Sequence, residues 1–307
     1  MFTRQIKNLL SNIEKPKEPL ILDVIFEGGA FNGMYELGVC YFLKQLEKKN
    51  YIKVNRISGT SIGCIIGVCY LLDLLDEFNT LYSVMREHWH KNLTISILRN
   101  LLVDVAKRIK NEDIKKLNDV LFITYNDILS KKQQVISNYK NKDEVIQTIF
   151  KSCHIPYISS DEMCEADFFI DGGMPFIFID RESEKINQNK DILYVNINYF
   201  DIFTSSLNVY KETSQDGRIL NGILNCYNLF FTKKNNNMCS FISKWKIQQY
   251  IMLRLKQLII LALVYAVYIA KYFVSSVHPV LSTFPLYNRL TTILRGFSQD
   301  ILLKCFK

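Results

Sequence analysis

Ile52-Lys53-Val54-Asn55-Arg56-Ile57-Ser58-Gly59-Thr60-Ser61-Ile62-Gly63-Cys64-Ile65-Ile66 is the stretch on which the fold turns. Ile52 to Ser58 has the length and branched content of a strand. Ile62 to Leu75 is apolar on nearly every side, as a helix at the centre of an α/β domain is, and the pentapeptide Gly59 to Gly63 joins the two. A strand that breaks directly into a helix crowds the residues two before and two after the break. Glycine at 59 and 63 removes a clash that any side chain would cause. In that setting G-x-S-x-G marks a nucleophile, with Ser61 strained and its hydroxyl at a helix N-terminus, where the dipole favours developing negative charge. A plain strand-to-helix turn would use the same two glycines, and three fixed positions in five recur by chance, so the flanking sequence decides.

Upstream, Leu20 to Phe26 (LILDVIF) is a second strand-length run. It leads into Gly28-Gly29-Ala30-Phe31-Asn32-Gly33 and then a helical pattern through Lys49, with Met34, Leu37, Tyr41 and Leu46 on one face. Strand, glycine loop and helix in that order aim free backbone N–H groups at an anion. A dinucleotide is a poor fit, because the glycines fall as G-G-x-x-x-G and the acid expected about 20 residues on is displaced. An oxyanion hole fits better. The next strand follows directly and ends in Ser61, which sets the loop beside the serine on adjacent parallel strands.

Downstream, Glu77 to Asn118 reads as two or more amphipathic helices; His88 and His90 flank Trp89 there and receive no role. Leu121 to Tyr125 and Gln133 to Ser137 read as strands, and Asp143 as the cap of a helix over Glu144 to Lys151, which leads into Ser152-Cys153-His154-Ile155-Pro156. Phe168 to Ile170 is a short strand that stops at Asp171-Gly172-Gly173, and Ile192 to Ile197 closes the body as one more strand. A serine hydroxyl needs a base. A triad in the order Ser61, Asp171, His278 is formally available, yet the fold that uses that order builds several strands before its nucleophile, and here the serine arrives after two. The alternative is a pair in which Asp171 takes the proton itself. A carboxylate is a weak base toward a hydroxyl, so the glycine loop must lower much of the barrier, one well-placed donor being worth roughly 3–4 kcal/mol. Taken alone, Asp171-Gly172 is also what an ordinary turn after a strand looks like.

Together these pieces resemble the patatin-like phospholipase family, which includes the relatives of cytosolic phospholipase A2. The resemblance runs over about Leu20 to Asn198. It rests on EGGAFNGMYELGV for the oxyanion loop, GTSIG for the nucleophile elbow, and SCHIP followed by FFIDGG for the segment carrying the catalytic aspartate. It implies a three-layer α/β/α sandwich and a Ser61–Asp171 dyad acting on phospholipid or acylglycerol esters. Gly28, Gly29 and Ala30 would form the oxyanion hole, with Gly33, Gly59, Gly63, Gly172 and Gly173 as the structural positions of the motifs. No cofactor, metal or nucleic acid is implied. The sequence departs from the family where Ala30 replaces the usual glycine and Asn32 a frequent basic residue, and MPFIFID after Gly173 lacks the common Asn-x-Pro. Those departures motivate the alternative of a catalytically silent, membrane-associated protein that keeps the fold.

Composition sets the outer bounds. The 307 residues, 49% hydrophobic and 22% charged, suit a globular body with an appendage. Eight cysteines without CxxC or zinc spacing read as reduced packing residues of an intracellular protein. The net charge of +8 is unevenly placed, because eleven Lys and Arg against the single acid Asp300 follow residue 232. A near-neutral body with a basic, apolar tail points to an anionic membrane surface. The division expected is an N-terminal helical arm (1–19), with Phe2, Ile6, Leu9, Leu10 and Ile13 on one face, a catalytic domain (20–198), a loop or linker (199–237) and a helical tail (238–307). Within the tail, 258–277 is long enough to span a bilayer, with a buried core helix as the competing reading. The apolar stripe Leu286, Leu290, Ile293, Leu294, Phe297, Ile301, Leu302 and Cys305, opposed by Arg289, Arg295 and Lys304, has the pattern of an interfacial helix or of a cover for the sheet.

Overall fold

Branched apolar runs followed at once by helical ones make successive strands lie parallel, and the first two strands do so. In the computed structural model, which describes residues 2–276 except 93, 157, 161, 167, 179–188, 199–208, 210, 211 and 213, β1 (Leu20–Phe26) pairs in parallel with β2 (Ile52–Thr60) from Leu20↔Ile52 to Phe26↔Gly59. Parallel pairing continues outward on both sides, to β3 (Leu121–Asp127) beyond β2 and to β6 (Lys190–Val195) beyond β1. Antiparallel strands close the edges: β4 (Lys132–Ile136) on β3, and β7 (Cys239–Phe241) on β6. The sheet order is β4-β3-β2-β1-β6-β7, and a short β5 (Phe169–Asp171) also pairs with β3.

The two faces of the sheet follow the alternation of the strands. Leu22, Val24 and Phe26 of β1, Leu121 and Ile123 of β3, and Leu193 and Val195 of β6 pack into the main core. Helices cover that face: α1 (Thr3–Leu10), α2 (Gly33–Lys48), α3 (Ile62–Leu71), α4 (Leu75–Asn92), α5 (Leu98–Ala106), α6 (Ile114–Leu117), α7 (Lys142–Ser152) and α8 (Asp216–Thr232) all bury residues there. The opposite face, with Ile25, Phe122, Ile192 and Tyr194, packs against Met174, Phe176 and Phe178 and against α9 (Ile247–Ser276) through Leu253 and Ile260. The result is the expected three-layer α/β/α sandwich, and the tail helix belongs to its second outer layer.

Three differences from the sequence reading have physical causes. The helix expected over Ile62 to Leu75 is interrupted where Asp73 takes φ +58, and α4 starts afresh at Leu75. The segment 199–237, expected as loop or linker, contains the 17-residue α8, and β7 beyond it extends the sheet, so the body does not end at Asn198. Asn221, Asn225 and Asn228 masked a buried helical stripe of Ile219, Ile223, Cys226, Leu229 and Phe230. The contact of α8 with α2 is so close that a Cβ added to Gly38 would lie 2.0 Å from the Ile219 carbonyl oxygen. Third, α9 is neither a core helix nor free of the body: it has the length and mean hydropathy (1.8 over Ile247–Phe273) to cross a membrane, yet one stripe of it is docked on the sheet. His278 and the 286–305 stripe lie outside the described residues.

Candidate active site

Ser61 sits at the break between β2 and α3 with φ +52 and ψ −127, a conformation an L-residue holds only when its surroundings enforce it. The expected crowding is present. A Cβ on Gly59 would lie 2.4 Å from the carbonyl oxygen of Gly63, and one on Gly63 would lie 2.6 Å from that of Glu27, so strand and helix approach as closely as backbone allows. The Ser61 N–H donates to the Ser152 hydroxyl at 2.8 Å, and its carbonyl accepts from the Cys64 N–H at 3.0 Å. Ser61 itself is 7% exposed.

Sheet register brings Asp171 to this serine. On the edge of β3 that faces away from β4, Thr124 pairs with Thr60, the last residue of β2, and the next residue, Tyr125, pairs with Asp171 of β5. β5 therefore occupies the edge where β2 leaves it, which brings Asp171 close enough to Ser61 for the serine side chain to favour the ionised form of its carboxyl. The aspartate is fixed on three further sides. Its N–H donates to the His154 carbonyl at 2.8 Å, its carbonyl accepts from Asn126 Nδ2 at 2.7 Å, and its Oδ1 accepts from the Gly173 N–H at 2.7 Å. Burial pushes the Asp171 carboxyl up to about 6, against the two donors Ser61 and Gly173, which favour the ionised form. Gly172 fits only as glycine, since a Cβ there would meet the Thr124 carbonyl oxygen at 2.4 Å.

The glycine loop lies on the other side of the serine, where a Cβ on Gly28 would be 3.0 Å from Ser61 Cβ. The amides of Gly28, Gly29 and Ala30, and that of Ile62 at the start of α3, donate no hydrogen bond among the described residues, and the three loop residues are partly open to solvent. Ala30 is at φ +45, the left-handed region, so the alanine sits where its Cβ costs about 1–2 kcal/mol. Gly33 opens α2 against Ile62, 2.4 Å from where its Cβ would be.

Four residues to which the sequence reading gave no role hold this arrangement. Asn198 Nδ2 donates to the Gly28 carbonyl, which fixes the orientation of the Gly28–Gly29 peptide. Asn32 is fully buried. It donates through Nδ2 to the Ile197 carbonyl at 2.9 Å and accepts from Arg218 Nη1 at 2.6 Å, so the residue in place of a basic side chain is backed by a buried arginine from α8. Ser152 steadies the strained Ser61, and next to it the neighbouring Cys64 and burial push the Cys153 thiol up. Spacings of 91 to 186 residues hide such contacts; the one available signal was the run Ser152-Cys153-His154, which touches both halves of the site. The His154 imidazole turns away, to Ser159 Oγ at 3.3 Å and Glu165 Oε2 at 3.7 Å.

The tail helix reaches both rims. Lys256 Nζ of α9 is 2.7 Å from Oε1 of Glu27, the residue before Gly28, and the same oxygen accepts from the Tyr194 hydroxyl. Ile260 packs against Gly173, whose Cβ, if present, would be 3.0 Å from it.

Omega-hydroxyceramide transacylase of Mus musculus is 22% identical over 162 residues, 49% of this chain and 26% of that protein, so the chain spans about a quarter of that relative's length. The solved structure of the ExoU–SpcU complex of the type III secretion system of Pseudomonas aeruginosa overlaps 73% of this chain and 53% of its own at 13% identity and a TM-score of 0.41. A family model described as patatin-like phospholipase matches residues 24–177, half of the sequence, with the glycine loop, GTSIG and Asp171 all inside it. The chain belongs to the patatin-like phospholipase family.

Proposed function

We propose that the protein cleaves lipid acyl esters, of phospholipid or acylglycerol type, with Ser61 as nucleophile and Asp171 as its base. The observation that carries this reading is the strand register that sets Asp171, its carboxyl pushed by burial up to about 6, on one side of the strained Ser61, with a loop of undonated amides on the other. Asp171 accepts the hydroxyl proton as Ser61 Oγ attacks the ester carbonyl, and the N–H groups of Gly28, Gly29 and Ala30 receive the developing oxyanion. Collapse breaks the ester bond, and Asp171 returns the proton to the departing alkoxide. Water, deprotonated by the same carboxylate, then releases the acid and restores Ser61. An acyl-enzyme yields to any hydroxyl that reaches it. The name of the murine relative, a transacylase, makes transfer to a lipid alcohol the competing second half-reaction.

The strained Ala30 favours a second reading, a family member that retains the fold without turnover. One experiment separates the two. Wild type, Ser61→Ala and Asp171→Asn are incubated with a fluorophosphonate probe and with a long-chain ester. Labelling confined to chains with Ser61, together with hydrolysis lost in both variants, is expected; a folded wild type that neither labels nor turns over supports the silent alternative.

A further inference from the structure

We infer that the outer face of α9 is a docking surface for an anionic lipid bilayer, and that the helix lies along the bilayer surface and does not cross it. The polarity of the helix is the first observation. A helix in the outer layer of a water-soluble sandwich turns apolar residues inward and charged ones outward. α9 is apolar inward, at Leu253, Ile260 and Val264, and apolar outward as well along most of its length. Between 255 and 271 its only charged residues are Lys256 and Lys271; the first is spent on Glu27, and the second lies over the Phe168 ring at 4.5 Å. Outward stand Leu255, Leu258, Ile259, Leu263, Ile269 and Phe273, with Leu258 and Ile269 both 62% exposed. A continuous apolar strip of this kind marks a surface that meets something other than water.

The orientation follows from the inner stripe. Contacts with the body recur at Leu253, Lys256, Ile260, Val264 and Lys271. At 1.5 Å per residue, 253 to 271 covers about 27 Å of helix, close to the whole hydrocarbon thickness of a bilayer. A helix that crossed while keeping those contacts would carry Glu27, Asp171 and Lys131, which lies over the Tyr268 ring of α9 at 4.3 Å, into the hydrocarbon, where ionised groups are strongly disfavoured. Lying along the surface, the same helix buries its outer strip in the acyl and headgroup boundary and leaves the body in water.

Charge selects lipid over a second copy of the chain. Lys244, Lys246 and Arg254 stand exposed at the N-terminal end of the strip, and the sequence beyond residue 232 holds eleven bases and one acid. Two such segments repel each other, whereas anionic headgroups attract both. Tyr250, Tyr265 and Tyr272 are exposed on α9 among the aliphatic residues, an amphipathic side chain enriched where hydrocarbon meets water.

The inference rests on α9 and not on the chemistry of Ser61, so it is tested in the full chain carrying Ser61→Ala, whose lipid binding is independent of turnover. Flotation with vesicles of phosphatidylcholine alone, and of phosphatidylcholine with phosphatidylserine, is compared for this protein and for one also carrying Leu258→Asp and Ile269→Asp. Leu258→Ser with Ile269→Ser serves where circular dichroism shows that the aspartates unfold the chain. Expected are preferential binding to the serine-containing vesicles, weakening in high salt, release by alkaline carbonate, and a fall in bound fraction of about tenfold or more in the substituted protein. Any of three results overturns the inference: vesicle binding unchanged by the substitutions, resistance to carbonate with a C-terminal tag on the far side of the membrane, or a stable dimer in solution that the substitutions convert to monomer.

Discussion

Removing the ammonium that ties α9 to the glycine loop gives a measurable quantity. Glu27 is 3% exposed; its Oε1 is shared by Lys256 and the Tyr194 hydroxyl, and its Oε2 has no partner among the described residues. Lys256→Met leaves a buried carboxylate facing one neutral donor. Breaking a fully buried ion pair from one side costs about 3–5 kcal/mol. The Lys256 side chain is 32% exposed, so part of its interaction is screened by water and a loss of about 2 kcal/mol is expected. Glu27→Gln should cost less, about 1 kcal/mol, because the released ammonium reaches solvent and the amide still meets Tyr194. In the Glu27→Gln background Lys256→Met should add only about 0.5 kcal/mol, giving a coupling of about 1.5 kcal/mol. Urea unfolding of the four proteins, followed by near-ultraviolet circular dichroism at constant m-value, measures it. A coupling below about 0.5 kcal/mol would show that the pair does not hold α9 to the rim of the loop.

Two further expectations concern the site itself. In the proposed mechanism Asp171 must be ionised to accept the proton, and its carboxyl is raised to about 6, so kcat/KM for a neutral ester should rise tenfold per pH unit below about 6 and level off above it; an inflection near the usual carboxylate value would refute the role of burial. Ala30→Gly removes a left-handed cost of about 1–2 kcal/mol and adds about 0.5–1 kcal/mol of unfolded-chain entropy, so thermal melting should show a small net gain in stability with no loss of activity, and a destabilised variant would contradict the strain assigned to φ +45.

The parts of the fold readable in advance were those governed by near-neighbours in sequence. LILDVIF alone sets β1, and the glycines at 59 and 63 demand the elbow, because the residues that clash are only four apart. Asp171 was legible as a strand end, but its place next to Ser61 depends on β5 taking over the edge of β3 one residue after β2 leaves it, a register no local pattern encodes. α8 was hidden because its asparagines fall on the exposed side and dilute a stripe visible only at helical spacing. For α9, hydropathy reported an apolar surface correctly and said nothing about which side was covered; the docked stripe contains two of its three charges.

Asn32 shows how a departure from a family pattern can be resolved by a distant element. A positive charge at 32 was the expectation for the loop, and a neutral amide there suggested a missing function. The structure puts a guanidinium behind that amide, at 2.6 Å from its oxygen, delivered by a helix that begins 184 residues later and held by Glu212 at 2.5 Å. The two positions are linked by sign. A lysine or arginine at 32 would set two cations roughly 4 Å apart in a buried setting, a repulsion of about 4 kcal/mol at an effective dielectric of 20, so Arg218 is tolerable only while residue 32 is neutral. The amide also does what a cation cannot, accepting from Arg218 while donating to the Ile197 carbonyl, and so ties the glycine loop to α8 and to the chain leaving β6 at once.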